Sequence, residues 1–260
     1  MAIYDIDGNV ISTTEAPSVY IPDESPSPYD RIMKSINHRG WTQDGAVENS
    51  LAAYKASKEQ GFYYVETDVR FTSDSYAILF HNDNIDGTLI SNMTYAEVLE
   101  EVPTLALFTD FIALCRYIGL HPYIELKGTM TQANVNSLVD IVHAYQMRHR
   151  VTWFGSNGNV SKVQSYDTSA RLGILSNTLT STNVSQAQAL KLDTNEVFLD
   201  TYISYLTSEI LAMVKTAKVP LEVFTFGATK AEIKALDPYI TGYTADTMIA
   251  GKVLHDDYIE

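Results

Sequence analysis

Phe62-Tyr63-Tyr64-Val65-Glu66-Thr67-Asp68-Val69 reads as an apolar strand carrying two carboxylates spaced two residues apart. In an extended chain that spacing puts both acids on the same side. A run this apolar is expected to be covered on both faces, as in a parallel sheet. Carboxylates there are poor core material, because burying a polar group without a partner is costly. Something outside the apolar core must satisfy them.

The pattern recurs on either side. Residues 32–36 form a first apolar run that leads into Asn37-His38-Arg39-Gly40. A short strand at 77–80 leads into His81, and a strand at 121–126 carries Glu125 and leads into Lys127. Helical spacing is read at 50–60, with Asn49 or Ser50 as its cap, and again at 107–118 and 132–145. Further strands are expected at 151–154, 171–175, 196–199 and 221–224, and a last one at 239–241 or a residue or two beyond. About eight core strands alternating with helices predict an α/β fold, a TIM (β/α)8 barrel. No glycine-rich phosphate or dinucleotide loop follows the first strand, which argues against an open doubly wound sheet. Residues 82–105 are too long for an ordinary connection and are expected to form a small insertion after the second strand, over the active face.

Residues 1–30 read as a separate arm. Two short extended stretches, 2–5 and 9–12, flank Asp7-Gly8 and predict a β-hairpin, followed by a Pro/Ser-rich connector at 16–28. The arm is either a strap across the bottom of the barrel or a docking element for an assembly partner. Residues 31–260 are the barrel domain. The 260-residue length suits one α/β barrel, and 45% hydrophobic with 19% charged residues is an ordinary globular composition. A net charge of −14 disfavours nucleic acid and anionic membrane surfaces as partners. It leaves room for a phosphate substrate where a local cation reverses the sign. A single cysteine, Cys115, excludes an intrachain disulfide and sits within an apolar helical pattern, where a buried thiol is expected. No secretory signal and no bilayer-spanning stretch are read, so no membrane insertion is expected. The 17 tyrosines and a surface rich in Ser, Thr and Asn suit a cytoplasmic or a virion-associated (phage tail) protein.

The chemistry follows from residue types. Glu66, Asp68 and Glu125 would repel one another if brought together, and a divalent cation relieves that repulsion. An oxygen-only ligand set favours Ca²⁺ or Mg²⁺. His38 and His81, each at a strand end beside the acids, suit a catalytic acid and base working on opposite sides of a phosphodiester. Arg39 and Lys127 supply positive charge for phosphate, or pair with the acids. Glu48 and Asn49 open the first helix and are expected to hold the site.

These residues resemble a known family. His38-Arg39-Gly40, Glu48-Asn49-Ser50-Leu51-Ala52-Ala53-Tyr54, Glu66-Thr67-Asp68-Val69, Thr72 with Asp74, His81 and Ile124-Glu125-Leu126-Lys127 are similar to the signature of glycerophosphodiester phosphodiesterases, and Gly242-Tyr243-Thr244-Ala245-Asp246 matches more loosely. The resemblance implies a TIM barrel that hydrolyses a glycerophosphodiester to glycerol 3-phosphate and an alcohol. It implies metal binding by Glu66, Asp68 and Glu125, acid–base work by His38 and His81, and phosphate contacts from Arg39 and Lys127. The sequence departs from the pattern at Asn82, where Asp is usual, at Val47, where Pro is usual, and at Val223-Phe224-Thr225-Phe226, which replaces a tryptophan-containing motif. Three alternatives stay open: a polyglycerol-phosphate teichoic acid target, a non-catalytic phosphate-polymer binding module, and a lipid phosphodiesterase that stops at a cyclic phosphate.

Overall fold

A computed structural model describes residues 33–236 and 239–247, with short strands at 3–4 and 10–12. The chain divides into two units, Met1–Arg31 and Ile32–Glu260. In the first unit β1 (Ile3–Tyr4) pairs antiparallel with β2 (Val10–Ser12). The expected Asp-Gly turn and the Pro/Ser-rich connector lie outside the described residues.

The second unit is a closed ring of parallel strands. In chain order these are β3 (Lys34–Asn37), β4 (Tyr64–Phe71), β8 (His121–Leu126), β9 (Thr152–Gly155), β10 (Arg171–Leu175), β11 (Val197–Tyr202), β12 (Leu221–Thr225) and β13 (Gly242–Ala245). Each pairs with the next, and β13 returns to β3, so eight strands close a TIM-like α/β barrel. The outer layer contains α1 (Leu51–Glu59), α3 (Phe108–Ile118), α4 (Gln132–Ala144), α5 (Asn157–Tyr166), α6 (Ser181–Leu190), α7 (Ser208–Ala217) and α8 (Lys230–Leu236). After β4 the chain makes an excursion. β5 (Ala77–Leu79) runs antiparallel to β4, then come a two-stranded ribbon, β6 (Asn84–Ile85) with β7 (Thr88–Leu89), and helix α2 (Tyr95–Glu101). This segment has its own small core of Ile78, Ile90, Met93 and Val98.

Two apolar layers hold the barrel. The larger lies between strands and helices and includes Val65, Phe108, Phe111, Ile124, Trp153 and Leu199, with the Cys115 thiol buried among them. The smaller fills the barrel interior and consists of Ile36, Tyr123, Phe154 and Phe198. Phe198 fits because its neighbour on β10 is a glycine: Gly173 is flanked in register by Phe154 and Phe198. A Cβ at Gly173 would come within 2.3 Å of the Phe198 ring and 2.9 Å of Phe154 Cβ. Below this layer Arg171 lies against the Phe198 ring and pairs with Glu222 at 2.7 Å and Glu196 at 2.6 Å. The bottom of the interior is therefore polar but paired, which offsets the cost of burying the charge.

Several boundaries differ by a few residues from the sequence expectation, and two of them have packing reasons. The first barrel strand extends to Asn37, whose buried amide accepts from Ser57 Oγ at 2.6 Å. The last strand begins at Gly242 instead of at 239, although glycine is a poor strand former. Gly242 lies in register with both Lys34 and Glu222. A Cβ there would meet the Glu222 carboxyl and Lys34 Cβ at 3.2 Å, so the position is short of room for a side chain.

Two outcomes test this packing. Gly173→Ala should lower the free energy of unfolding by about 1–3 kcal/mol in urea titration, the usual range for overpacking, and Phe198→Leu in the same chain should recover part of it. No loss in the single variant would contradict the packing. The second concerns His121 at the start of β8. Burial, with Arg150, Lys58 and Lys34 adding, pushes it down to about 4. The unfolded chain, at roughly 6.5, binds a proton that the folded chain refuses, so this residue's contribution is full above about pH 6.5 and lost as pH falls toward 4. Thermal melts should show His121→Gln losing less stability than the parent over that window; equal slopes would rule out the contribution.

Candidate active site

Strand register assembles the site. Asn37 pairs with Val65 and with Ala245, so the next residues, His38, Glu66 and Asp246, stand level across three adjacent strands. Two residues further along β4, Asp68 pairs in register with Glu125 on β8. Side chains level on neighbouring parallel strands point the same way, here into the mouth of the barrel.

Glu66, Asp68 and Glu125 each offer one oxygen, and the three oxygens lie within 4.8 Å of one another. Glu66 and Asp68 are buried. Lys127 Nζ sits 2.7 Å from Glu125 and 3.1 Å from Asp68, and Arg39 Nε lies 3.1 Å from Asp68. Two cations thus face three acids. Unit charges at such separations interact by about 4 kcal/mol at an effective dielectric near 20, so the unbalanced charge falls on the acid with the fewest partners. That acid is Glu66. Its Oε2 accepts from the Arg39 amide at 3.0 Å, while its buried Oε1 accepts no hydrogen bond. Burial, with Asp68 and Glu125 adding, pushes Glu66 well above the ordinary carboxylate range. Burial raises Glu125 as well, and Lys127 only partly offsets this. For Asp68, burial is outweighed by Lys127, Arg39 and the Asn49 amide, which together hold it below its usual value. An oxygen-only donor set with one bare, buried carboxylate oxygen fits a hard divalent cation.

The backbone around these acids is held in costly conformations. Arg39 and Asn49 both have positive φ, 52° and 55°. Such a residue costs on the order of 1–3 kcal/mol and persists where its surroundings fix it. Gly40 follows at φ 84°, and a Cβ on it would meet Ala53 Cβ at 2.7 Å, so the loop after β3 can approach α1 only with glycine there. Ser50 is the N-cap of α1 and accepts from the Ala53 amide. Asn49 is thereby free for the site. Its Nδ2 donates to Asp68 Oδ2 at 2.8 Å, and its Oδ1 accepts from Tyr54, Thr67 and the Asp68 amide. Glu48 is half-exposed and receives Arg39 Nη1 at 3.1 and 3.2 Å. Arg39 therefore spans Glu48 and Asp68.

The two histidines are mounted differently. His38 Nδ1 lies 2.6 Å from Asp246 Oδ1, and its backbone amide donates to the Ala245 carbonyl. His81 Nδ1 lies 3.0 Å from Asn82 Oδ1. Burial, the largest influence, lowers the His81 pKa; Asp68 and Asn82 oppose it, and Lys127 and Arg39 reinforce it. Arg70, two residues beyond Asp68 on β4, donates from Nε and Nη2 to the His81 carbonyl at 3.0 and 2.7 Å.

Sequence reasoning missed Arg70 as a partner of His81 and gave no role to Asp246. It also missed an aromatic wall at the ends of β11 and β12. Phe226 lies 5.2 Å from the His38 ring and 5.8 Å from Tyr202, which also contacts Phe224 and Tyr205. Phe226 and Tyr205 are exposed. β11 is four strands from β4 in either direction round the ring, so the wall faces the acids across the mouth. The signal was present in Val223-Phe224-Thr225-Phe226, the stretch that departs from the expected motif.

Comparisons with known proteins bear on the fold and the family. The profile of the Glycerophosphoryl diester phosphodiesterase family matches residues 38–237. Glycerophosphodiester phosphodiesterase 1 of Rattus norvegicus is 43% identical over 128 residues, covering 41% of this chain and 37% of that protein. The chain spans little more than a third of the length of the curated relatives it matches. Among solved structures, a glycerophosphodiester phosphodiesterase from Parabacteroides distasonis superposes with a TM-score of 0.73 at 20% identity, over 87% of this chain and 98% of that one. A phosphodiesterase from Oleispira antarctica, solved with the product sn-glycerol-3-phosphate, superposes with a TM-score of 0.70 at 17% identity, over 89% and 99%. At those identities the structural likeness shows a common fold. With the profile covering most of the barrel from His38 onward, the chain belongs to the glycerophosphoryl diester phosphodiesterase family.

Proposed function

We propose that this protein hydrolyses a glycerophosphodiester to glycerol 3-phosphate and an alcohol, using a divalent cation, Ca²⁺ or Mg²⁺, held by Glu66, Asp68 and Glu125. The carrying observation is the acid triad, with Glu66 and Asp68 buried and one Glu66 oxygen unpartnered, set in the same mouth as two histidines mounted on separate loops. Family membership supports the reaction class. The product bound to the Oleispira antarctica relative supports the same product here.

When bound, the cation supplies Lewis acidity and charge neutralisation for the phosphate. The remaining work falls to side chains. Arg39 and Lys127 already sit between the acids, and each has further donors to turn toward phosphate oxygens. His38 and His81 handle the protons of the leaving and attacking oxygens, each worth about 10²–10⁴-fold. Asn49 holds Asp68 in its ligating orientation, and Glu48 steadies Arg39. The exposed rings of Phe226 and Tyr205 give the far side of the mouth a surface for one arm of the diester.

The acids and the aromatic wall fit a small diester as well as the end of a polymer. A polyglycerol-phosphate teichoic acid target rests on the arm and the Tyr/Ser/Thr/Asn-rich composition, and it is checked by phosphate release from Gram-positive cell walls. A lipid phosphodiesterase that stops at a cyclic phosphate is separated by phosphorus NMR of the products. A phosphate-polymer binding module is separated by turnover itself. No described helix is long and apolar enough to cross a membrane.

Glycerophosphocholine incubated with the protein and Ca²⁺ or Mg²⁺ should release glycerol 3-phosphate, measured by coupled assay. Chelation should abolish release, and His38→Ala should reduce it by about 10²-fold or more. Metal-dependent binding with no release from any glycerophosphodiester would defeat the hydrolase reading. Asn49→Asp, which replaces the donor to Asp68 with a second carboxylate, should weaken cation binding about 10–100-fold by calorimetry, the range for residues that orient ligands. Unchanged affinity would remove Asn49 from that role.

A further inference from the structure

Tyr54 lies wholly inside the core, yet it carries a hydroxyl. Its ring, on α1, packs against Phe111 of α3 with centroids 4.5 Å apart. A phenyl ring alone would make that contact, and a buried O–H is costly unless it meets a polar partner. This one meets Asn49 Oδ1 at 3.0 Å.

The neighbours of Asn49 fix which end of its amide is which. The pairing of β3 with β4 stops at Asn37 and Val65, so the Asp68 amide finds no carbonyl on β3. It donates to Asn49 Oδ1 instead, at 3.2 Å. A main-chain N–H can only donate, so the atom facing it is the amide oxygen, and the NH2 end faces Asp68 Oδ2 at 2.8 Å. The hydroxyls of Tyr54 and of Thr67, the latter at 3.1 Å, therefore donate to Oδ1 as well. Three donors on one side oppose any turn of the amide end over end, which would set its oxygen against the Asp68 carboxylate. Asp68 Oδ2 is thus held by Asn49, with Arg39 Nε 3.1 Å away. Its Oδ1, beside Lys127 Nζ, accepts no hydrogen bond and is the oxygen left open to a cation.

We propose that Tyr54 is a positioning residue for the cation site: from the layer between barrel and helices, its hydroxyl locks the Asn49 amide, and through it the ligating orientation of Asp68. This rests on the cation reading above and extends the site to a residue that touches neither cation nor substrate. The same hydroxyl ties the site to the packing of α1 on α3, so the ligand geometry is set by the core as well as by the strands.

The test is a double-mutant cycle read by calorimetric titration of the metal-free protein with Ca²⁺ and with Mg²⁺. Tyr54→Phe keeps the ring and removes the hydroxyl; Asn49→Gly removes the amide and keeps the positive φ. Tyr54→Phe alone should weaken cation affinity by about fivefold, the equivalent of one net hydrogen bond, and in the Asn49→Gly background it should change affinity by less than about twofold. Thr67→Val should behave in the same way. Without any cation, hydrogen exchange of the Asn49 side-chain amide should quicken by about fivefold in Tyr54→Phe, and this decides the case in which Asn49→Gly binds too weakly to titrate. Unchanged affinity in Tyr54→Phe, the same loss in both backgrounds, or unchanged exchange would overturn the role of Tyr54 while leaving the cation reading intact. Unaltered protein that takes up neither Ca²⁺ nor Mg²⁺ would overturn the cation reading and this role with it.

Discussion

Everything at the barrel mouth depends on three carboxylates sharing a space with two cations. Asp68 receives most of that compensation, from Lys127, Arg39 and Asn49, while Glu66 is left with a bare buried oxygen. A protein could lower this cost by replacing one acid with an apolar residue, since buried ion pairs are often no better than well-packed hydrophobic ones. Here the acids sit on β4 and β8, on either side of a register pair, where their separation is set by the spacing of the sheet. The geometry is therefore rigid, as a metal site requires. Much of the surrounding structure serves that end: the positive-φ turns at Arg39 and Asn49, the close approach of Gly40 to α1, and the four hydrogen bonds of the Asn49 amide.

Some of this was legible in the sequence and some was not. Strands at 121–126 and 171–175 are observed at the expected residues, because an apolar run bounded by polar residues has few alternatives. The acids were legible because Glu66 and Asp68 are two apart within an apolar run. Glu125, Lys127 and Arg39 join them in one network of contacts. The helix cap at Asn49 or Ser50 resolves to Ser50, which leaves Asn49 for Asp68. The start of β13 was not legible, because Gly242 is present for clearance beside Lys34 and Glu222, and clearance is a property of neighbours. Arg70 and Asp246 were missed for the same reason. Their partners, the His81 carbonyl and the His38 ring, are 11 and 208 residues away, and only register makes them adjacent.

The interior shows a division by height that no single strand reveals. Lys34, Arg171 and Glu222 form a paired ionic floor, Ile36, Tyr123, Phe154 and Phe198 a dry middle, and Glu66, Asp68 and Glu125 an acidic top. One carboxylate crosses the division: Asp200 on β11, buried and in register with Glu222, feels the charge of both Glu222 in the floor and Glu125 at the top. The middle layer depends on Gly173, since Phe198 can fill it only where β10 lacks a side chain.

Closure of the ring at β3 and β13 has a consequence during synthesis. Domains are made N-terminus first, so His38 and all three acids leave the ribosome long before residue 246. A nascent barrel lacking its eighth strand carries the acid triad but has no carboxylate behind its first imidazole. The carboxylate beside the first imidazole is therefore the last part of the mouth to be made, and it reaches that ring only when the last staves of the cask meet the first.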